Sequence, residues 1–320
     1  MSARGAQGAS MNWREVGEAD LTECLNIEPR IWGDEIVGRK RALPVWKEWT
    51  RRRSFNSAVI EASTSQSANQ KVAFGSSVFV TSEFATEELQ NPRPGLNSRI
   101  IASVVSGESV VLPETSLSDT RARAPLDLVI LSCNYQYEAL TPEQTIQAEM
   151  MLPFSFAESH VGYRLNRILS ETVCERQYKA HDSSGVWRTV TKYPDCGHTL
   201  IVLTEKEAFA TSGSVAAPLF HYQEPVLHLR DTEKQLLTEA MNGETDNELA
   251  ARMNLSLPSI KKRWASLFDR IADTRPDLLP DAEHRGWHES RGPQKRHRIL
   301  AYVRSHPEEL RPFRWRSHRY

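Results

Sequence analysis

Residues 55–81, FNSAVIEASTSQSANQKVAFGSSVFVT, decide how the first two thirds of the chain is read. The run 55–62 carries Phe55, Val59 and Ile60, and the run 71–81 carries Val72, Phe74, Val78, Phe79 and Val80. β-Branched and aromatic side chains of this kind suit a pleated, half-buried surface. Residues 63–70 between them are polar and read as a loop. Two strand-like runs about a polar tip predict an antiparallel hairpin.

Outward from this hairpin the pattern alternates. A short strand is expected at 13–16, with helical regions at 21–31 and 43–52. The segment NPRPGLN at 91–97 breaks structure, and 100–105 is expected to be helical. The apolar run LDLVIL at 126–131 reads as a buried strand. Residues 140–171 have helical periodicity, with Pro142 suited to a helix start and with Pro153 and Gly162 as breaks. Two strands, 186–193 and 198–204, follow. Alternation of this kind predicts an α/β or α+β domain over 12–207, after a tail at 1–11. The Ala/Ser/Gly/Pro-rich stretch 208–228 reads as a linker.

The 320 residues fit about two domains of roughly 100–200 residues each. Apolar residues make up 39% and charged residues 25%, enough apolar material for packed cores. No apolar run approaches the length of a membrane span, so no membrane partner is expected, and a cytoplasmic location is. Cys24, Cys133, Cys174 and Cys196 form no CxxC pair, which speaks against a zinc site or a disulfide framework. Cys196-Gly197-His198 reads as an ordinary loop, and no metal or cofactor is expected. The net charge of -1 hides an asymmetry. Residues 229–320 hold 18 Lys/Arg against 14 Asp/Glu, so an acidic body carries a basic end.

That end begins with residues 229–271, LRDTEKQLLTEAMNGETDNELAARMNLSLPSIKKRWASLFDRI. The spacing divides into three helices. Leu236, Leu237 and Ala240 share one face of the first, with Asp231 or Thr232 as its cap and Gly243 past its end. Leu249, Ala250 and Met253 repeat the face in the second, capped by Thr245 or Asp246. Ser256 caps the third, with Pro258 near its start. There Ile260, Trp264, Leu267, Phe268 and Ile271 make one apolar stripe. The opposite face centres on Lys262, flanked by Ser259, Ala265 and Ser266, with Lys261 and Arg263 at the stripe's edges. A short helix with a basic, small-residue face suits a DNA major groove.

This segment resembles the LuxR/GerE-type helix-turn-helix, matching it in register at Leu229, Glu233, Leu237, Gly243, Glu248, Ala250, Ser256 and Lys261. Thr232, Asp246, Pro258, Arg263 and Trp264 depart from the family pattern. The resemblance implies a bacterial transcription regulator acting on double-stranded DNA, commonly as a homodimer. Its DNA contacts would be Ser259, Lys261, Lys262 and Arg263, with Ser256 as cap and phosphate donor. The all-α helix-turn-helix domain is expected at 229–272, with a basic extension at 273–320. In that extension, 294–304 reads as an amphipathic helix with Ile299, Leu300 and Val303 inward. The basic and aromatic end from Arg311 to Tyr320 reads as a phosphate-contacting arm or a packed tail.

The N-terminal order β-α-α-β-β is similar to the Gcn5-related acetyltransferase fold. That family's pyrophosphate signature is an Arg or Gln, then Gly three residues on, then Gly or Ala two beyond. It is not evident, and Arg93-Pro94-Gly95 lies in the wrong context. No catalytic set stands out, so the N-terminal domain is expected to sense a small-molecule effector or to dimerise, and an enzyme is not expected. The alternative is an acetyltransferase-like domain fused to a DNA-targeting helix-turn-helix. Trp32, Trp46 and Trp49 are expected in the core, and His160, Tyr163 and Arg164 at a surface or a cap.

Overall fold

A computed structural model of the chain describes residues 11–27, 39–64, 67–121, 123–210, 212–279 and 291–313. Trp32, most of the tail at 1–11, and the arm from Arg314 to Tyr320 lie outside them. The chain forms two compact units. One contains 11–160 and 164–220 among the described residues, and the other contains 161–163 and 221–313.

The first unit is built on the hairpin. Strand β1 (Met11–Glu15) is followed by α1 (Leu21–Cys24) and α2 (Arg39–Arg51), and then by β2 (Asn56–Thr64) and β3 (Ser67–Val80). β2 and β3 pair antiparallel, with Val59 opposite Phe74 and Ala58 opposite Gly75. Three helices come next: α3 (Ser82–Gln90), α4 (Leu96–Val105) and α5 (Glu114–Arg121). β4 (Leu126–Tyr135), α6 (Pro142–His160), β5 (Leu165–Thr172), α7 (Glu175–Ser183), β6 (Arg188–Tyr193) and β7 (His198–Thr204) follow. Two short helices, α8 (Glu205–Ala210) and α9 (Ala217–Phe220), fall partly or wholly within the expected linker. The mixed α/β class expected for this part is the one observed.

The seven strands lie in the order β1-β2-β3-β4-β5-β7-β6. Every pair is antiparallel except β4 with β5, which is parallel. A parallel pair needs a crossover, and α6 supplies it. α6 covers one face of the sheet, where Ala148 and Leu152 meet Ala58, Ile60, Val72 and Ala73. On the other cluster, Trp46, Trp49, Ile100 and Ile101 from α2 and α4 pack with Phe74, Val129, Leu169 and Val202. Trp46 is fully buried, its ring 5.0 Å from Phe55 and 5.5 Å from Phe74.

Two helical expectations are corrected. α6 runs through Pro153 and ends at His160, and Gly162, with φ +87°, marks the break. The segment beyond it is strand β5, not helix. Its Leu165, Ile168 and Leu169 fit a helical face as well as a strand, and pairing with β4 decides for the strand. His160, expected at a surface or cap, is 1% exposed. Its Nε2 meets the Ser77 hydroxyl at 2.9 Å and the Asn56 amide at 3.2 Å, and its Nδ1 faces the Phe156 carbonyl at 2.7 Å.

Among the described residues the regular elements of the second unit are helices: α10 (Asp231–Ala240), α11 (Asp246–Arg252), α12 (Leu257–Thr274) and α13 (Arg291–Ser305), with short 3-10 turns. The stripe Ile260, Trp264, Leu267, Ile271 is buried, and Ile299, Leu300 and Val303 of α13 join the same core. Buried carboxylates tie the unit together. Glu233 accepts the Arg230 N–H and the Arg270 guanidinium, each at 2.8 Å. Glu309 accepts the N–H groups of Val226 and Leu227, and burial raises its pKa.

Gly75 sits where α6 crosses β3, and a Cβ there would lie 2.8 Å from Leu152 Cδ1. Gly75→Val therefore overpacks this contact and is expected to cost about 1–3 kcal/mol. Urea unfolding followed by far-UV circular dichroism checks it; a change below about 0.5 kcal/mol would contradict the close approach.

Candidate functional site

The sheet opens between its two parallel strands. Pairing of β4 with β5 ends at Ile130 opposite Ser170, although β4 continues to Tyr135 and β5 to Thr172. At the same place β4 carries a bulge. Ser77 faces Ile130 and Ser76 faces Ser132, so Leu131 is the extra residue. Backbone groups released from a ladder need other partners. The Asn97 side-chain amide on α4 donates to the Leu131 carbonyl. The Gln177 amide on α7 donates to the Cys133 carbonyl at 3.2 Å and to Asn134 Oδ1 at 3.0 Å, while its own oxygen accepts the Val173 N–H at 3.0 Å.

The opening is a narrow cleft of about 10 Å³, lined by residues 130–134 and 170–172 with Gln177 and His181. Its walls are polar. The Ser132 hydroxyl and the Asn97 amide oxygen are buried with no hydrogen-bond partner in the structure. The Cys133 thiol is 3.8 Å from the Tyr135 hydroxyl, and burial pushes its pKa up to about 11, so it stays protonated at neutral pH. His181 lies edge-on to Trp187 with ring centroids 5.0 Å apart, and desolvation lowers its pKa to about 4.

Glu171 closes one wall. Its carboxylate accepts the Gly95 N–H at 2.8 Å and the Leu96 N–H at the start of α4, a favourable place for negative charge. His198 Nδ1 is 2.7 Å from the same carboxylate. A carboxylate only accepts, so Nδ1 carries the proton and Nε2 is the ring's accepting atom. An imidazole oriented in this way can receive a proton.

The β4–α6 connection carries a second feature. Gln136, Ala139 and Thr141 stand between the splayed strand and the next helix, at the spacing of the Gln-Gly-Gly signature sought in the sequence. Ala replaces the first glycine and Thr the second, which is why the pattern did not stand out. Thr141 and Gln144 cap α6 reciprocally: Thr141 Oγ1 accepts the Gln144 N–H at 3.3 Å, and Gln144 Oε1 accepts the Thr141 N–H at 3.0 Å. Pro142 has no N–H to offer, and Glu143 adds negative charge in the first turn. These residues do not fit a pyrophosphate, which needs free amides and positive potential at a helix start.

The five residues expected to contact DNA lie elsewhere, at α12. Ser256 caps the helix and its hydroxyl pairs with that of Ser259 at 2.8 Å. Lys261 and Lys262 are exposed. Arg263 is half-buried, and its Nη1 is buried without a partner, so it is not displayed with the two lysines. Trp264 stacks on Phe268 and lies under the Arg296 guanidinium at 4.3 Å.

No known protein family matches the sequence, and no curated protein does. Solved structures do resemble it. FeeM, an N-acyl amino acid synthase from uncultured soil microbes, is 10% identical; the match covers 65% of this chain and 97% of that one, with a TM-score of 0.36. The mosquito arylalkylamine N-acetyltransferase like 5b is 10% identical over 61% of this chain and 100% of that one, with a TM-score of 0.37. The Drosophila melanogaster polyamine N-acetyltransferase is 10% identical over 61% and 98%, with a TM-score of 0.36. At such identities the likeness concerns the fold alone, and the first unit is a mixed α/β unit with a seven-stranded sheet.

These findings correct the expectation of a DNA-binding transcription regulator of the LuxR family. No helix-turn-helix family matches residues 229–271, and the reported likenesses are to acyltransferase-fold proteins. They also correct the expectation that the chain is not an enzyme. Among the described residues, no helix is long and apolar enough to cross a membrane.

Because His181 is held neutral below its ordinary pKa of 6.5, the unfolded chain takes up its proton first as pH falls. Its contribution to stability is full above about 6.5 and is lost between about 6.5 and about 4. Thermal unfolding across that range should decline by one proton's slope more in the native chain than in His181→Gln. Parallel profiles would refute the desolvated site.

Proposed function

We propose that the first unit is an N-acyltransferase that seats an acyl thioester between β4 and β5 and passes the acyl group to an amine. One observation carries this reading: the ladder stops at Ile130 and Ser170, and the released edge of β4 is met by a side-chain amide, that of Gln177. An extended amide-bearing arm would present the same groups to the Cys133 carbonyl and would find the unpartnered Ser132 hydroxyl beside it. This is strand addition to an open edge, with main-chain hydrogen bonds supplying the affinity.

A thioester supplies an activated acyl carbon that an amine nitrogen can take from sulfur. The chain's own groups would do three things. The β4 edge, in the place the Gln177 amide now holds, keeps the arm straight. The bulge at Leu131, pinned by Asn97, fixes where the strand's polar groups point, so that they need no rearrangement during transfer. His198, held by Glu171, accepts the proton an amine must lose before it attacks. His181 is neutral at pH 7 and adds no competing cation. The neighbours reported above are N-acyl and N-acetyl transferases by name, the same reaction class.

The test is thiol release from acetyl-pantetheine and acetyl-coenzyme A with a panel of primary amines, including an amino acid, a polyamine and an arylalkylamine. Amine-dependent release should exceed that in protein-free buffer. Ser132→Phe, which fills the cleft, should abolish it with the circular dichroism spectrum unchanged. His198→Gln should lower kcat by about 10²-fold and leave KM within about threefold. Release that is indifferent to Ser132→Phe would place the reaction outside the cleft and sink the reading.

A further inference from the structure

Resting on the cleft reading, we propose that the chain recognises its acyl donor by the pantetheine arm and thioester alone and has no grip on a nucleotide pyrophosphate. The donor class is thus a pantetheine thioester, and the phosphates of a larger donor stay in solvent.

Three observations at the β4–α6 connection carry this. First, three positions at the start of α6 offer an anion no free amide. Thr141 and Gln144 take each other's N–H groups, and Pro142 has none. A phosphate competing for them would have to break a reciprocal cap that stabilises the helix. Second, the local charge is negative. Glu138 lies in the turn before the helix and Glu143 in its first turn, so the field of the helix dipole is opposed where an anion would sit. Third, the cation beside this turn is occupied. Arg176 on α7 lies 3.2 Å over the Tyr137 ring and 3.7 Å from Glu149, and the Tyr137 hydroxyl donates to the same Glu149 carboxylate at 3.2 Å. A guanidinium held between an aromatic face and a carboxylate serves to close α7 onto the turn.

The other end of the site is built differently. Along β4 and α7 the groups are neutral and amide-like: the Cys133 carbonyl, Asn134 and Gln177, bonded to one another, and the unpartnered Ser132 hydroxyl and Asn97 amide oxygen. They match amides and a thioester and have no preference for phosphate. Ala139 and Thr141 complete the contrast, because side chains there take up space that glycines would leave for close backbone approach.

The experiment is calorimetric titration of the full chain with acetyl-pantetheine, acetyl-4′-phosphopantetheine and acetyl-coenzyme A. The proposal expects the three dissociation constants to agree within about threefold and to change little between low and moderate salt. Stepwise tightening with each added phosphate, to about tenfold or more for acetyl-coenzyme A, would overturn it and leave the cleft reading standing. Absence of saturable binding by all three at millimolar concentration would overturn the cleft reading and this inference with it. A gain-of-function variant gives the positive arm. Pro142→Ala with Glu143→Ala restores one amide and removes one charge, and should tighten acetyl-coenzyme A about three- to tenfold with acetyl-pantetheine unchanged. Equal effects on both donors, or none, count against the capped helix as the cause. Glu138→Gln, in the turn before α6, repeats the test should the double variant be unstable.

Discussion

The structure of the first unit depends on where the hydrogen-bond ladder between β4 and β5 stops. Four residues of parallel pairing past Leu126 bring the strands together, and after Ile130 and Ser170 they part. Every polar backbone group freed there must be met by another part of the chain, because a buried unpaired group costs about 1–3 kcal/mol. The chain answers with side chains from distant segments. Asn97 on α4 meets Leu131, Gln177 on α7 meets Cys133 and Val173, and Glu171 of β5 meets the first amides of α4. The helices inserted between β3 and β4, and α7 after β5, are therefore tied to the opening as well as to the sheet. In the core of the same unit Trp46 packs between Phe55 and Phe74, and Val129, Leu131 and Leu169 of the two parting strands belong to that cluster.

The helical unit shows that a local pattern can be read well while its purpose is misread. The periodicity over 229–271 gave three helices, Thr245 or Asp246 and Ser256 as caps, and an apolar stripe on α12; the structure has the helices, caps at Thr245 and Ser256, and the stripe buried at Ile260, Trp264, Leu267 and Ile271, while Arg230, not Asp231 or Thr232, stands at the start of α10. Buried apolar faces and caps are dictated by short-range physics, and any small helical unit uses them. The basic face carried the functional inference, and it was the weaker part. Arg263 is half-buried, and Ser266 and Arg270 turn inward to Glu233. The extension beyond the motif is part of the same core, since Ile299, Leu300 and Val303 of α13 pack there.

In the sheet unit the hairpin was legible because strand formers on both sides of a polar tip leave few alternatives. The buried run 126–131 was legible for the same reason, though the strand extends to Tyr135. β5 was not. Leu165, Ile168 and Leu169 satisfy a helix as well as a strand, and partner β4 lies over thirty residues upstream. The cleft was legible only in fragments. Its residues come from β4, β5, α4 and α7, so neither their proximity nor the end of the ladder has a local signature. The nearest signal was Gln136, Ala139 and Thr141, a glycine pattern whose glycines are replaced.

The central claim is that the break in the ladder is the ligand-binding edge. Backbone amide hydrogen exchange of the full chain, with and without millimolar acetyl-pantetheine, tests it most directly. The account predicts added protection concentrated in residues 131–136 and 170–178, where the arm would pair with β4 and displace the Gln177 amide. Protection confined to other segments, or unchanged exchange in those two despite saturable binding, would contradict it.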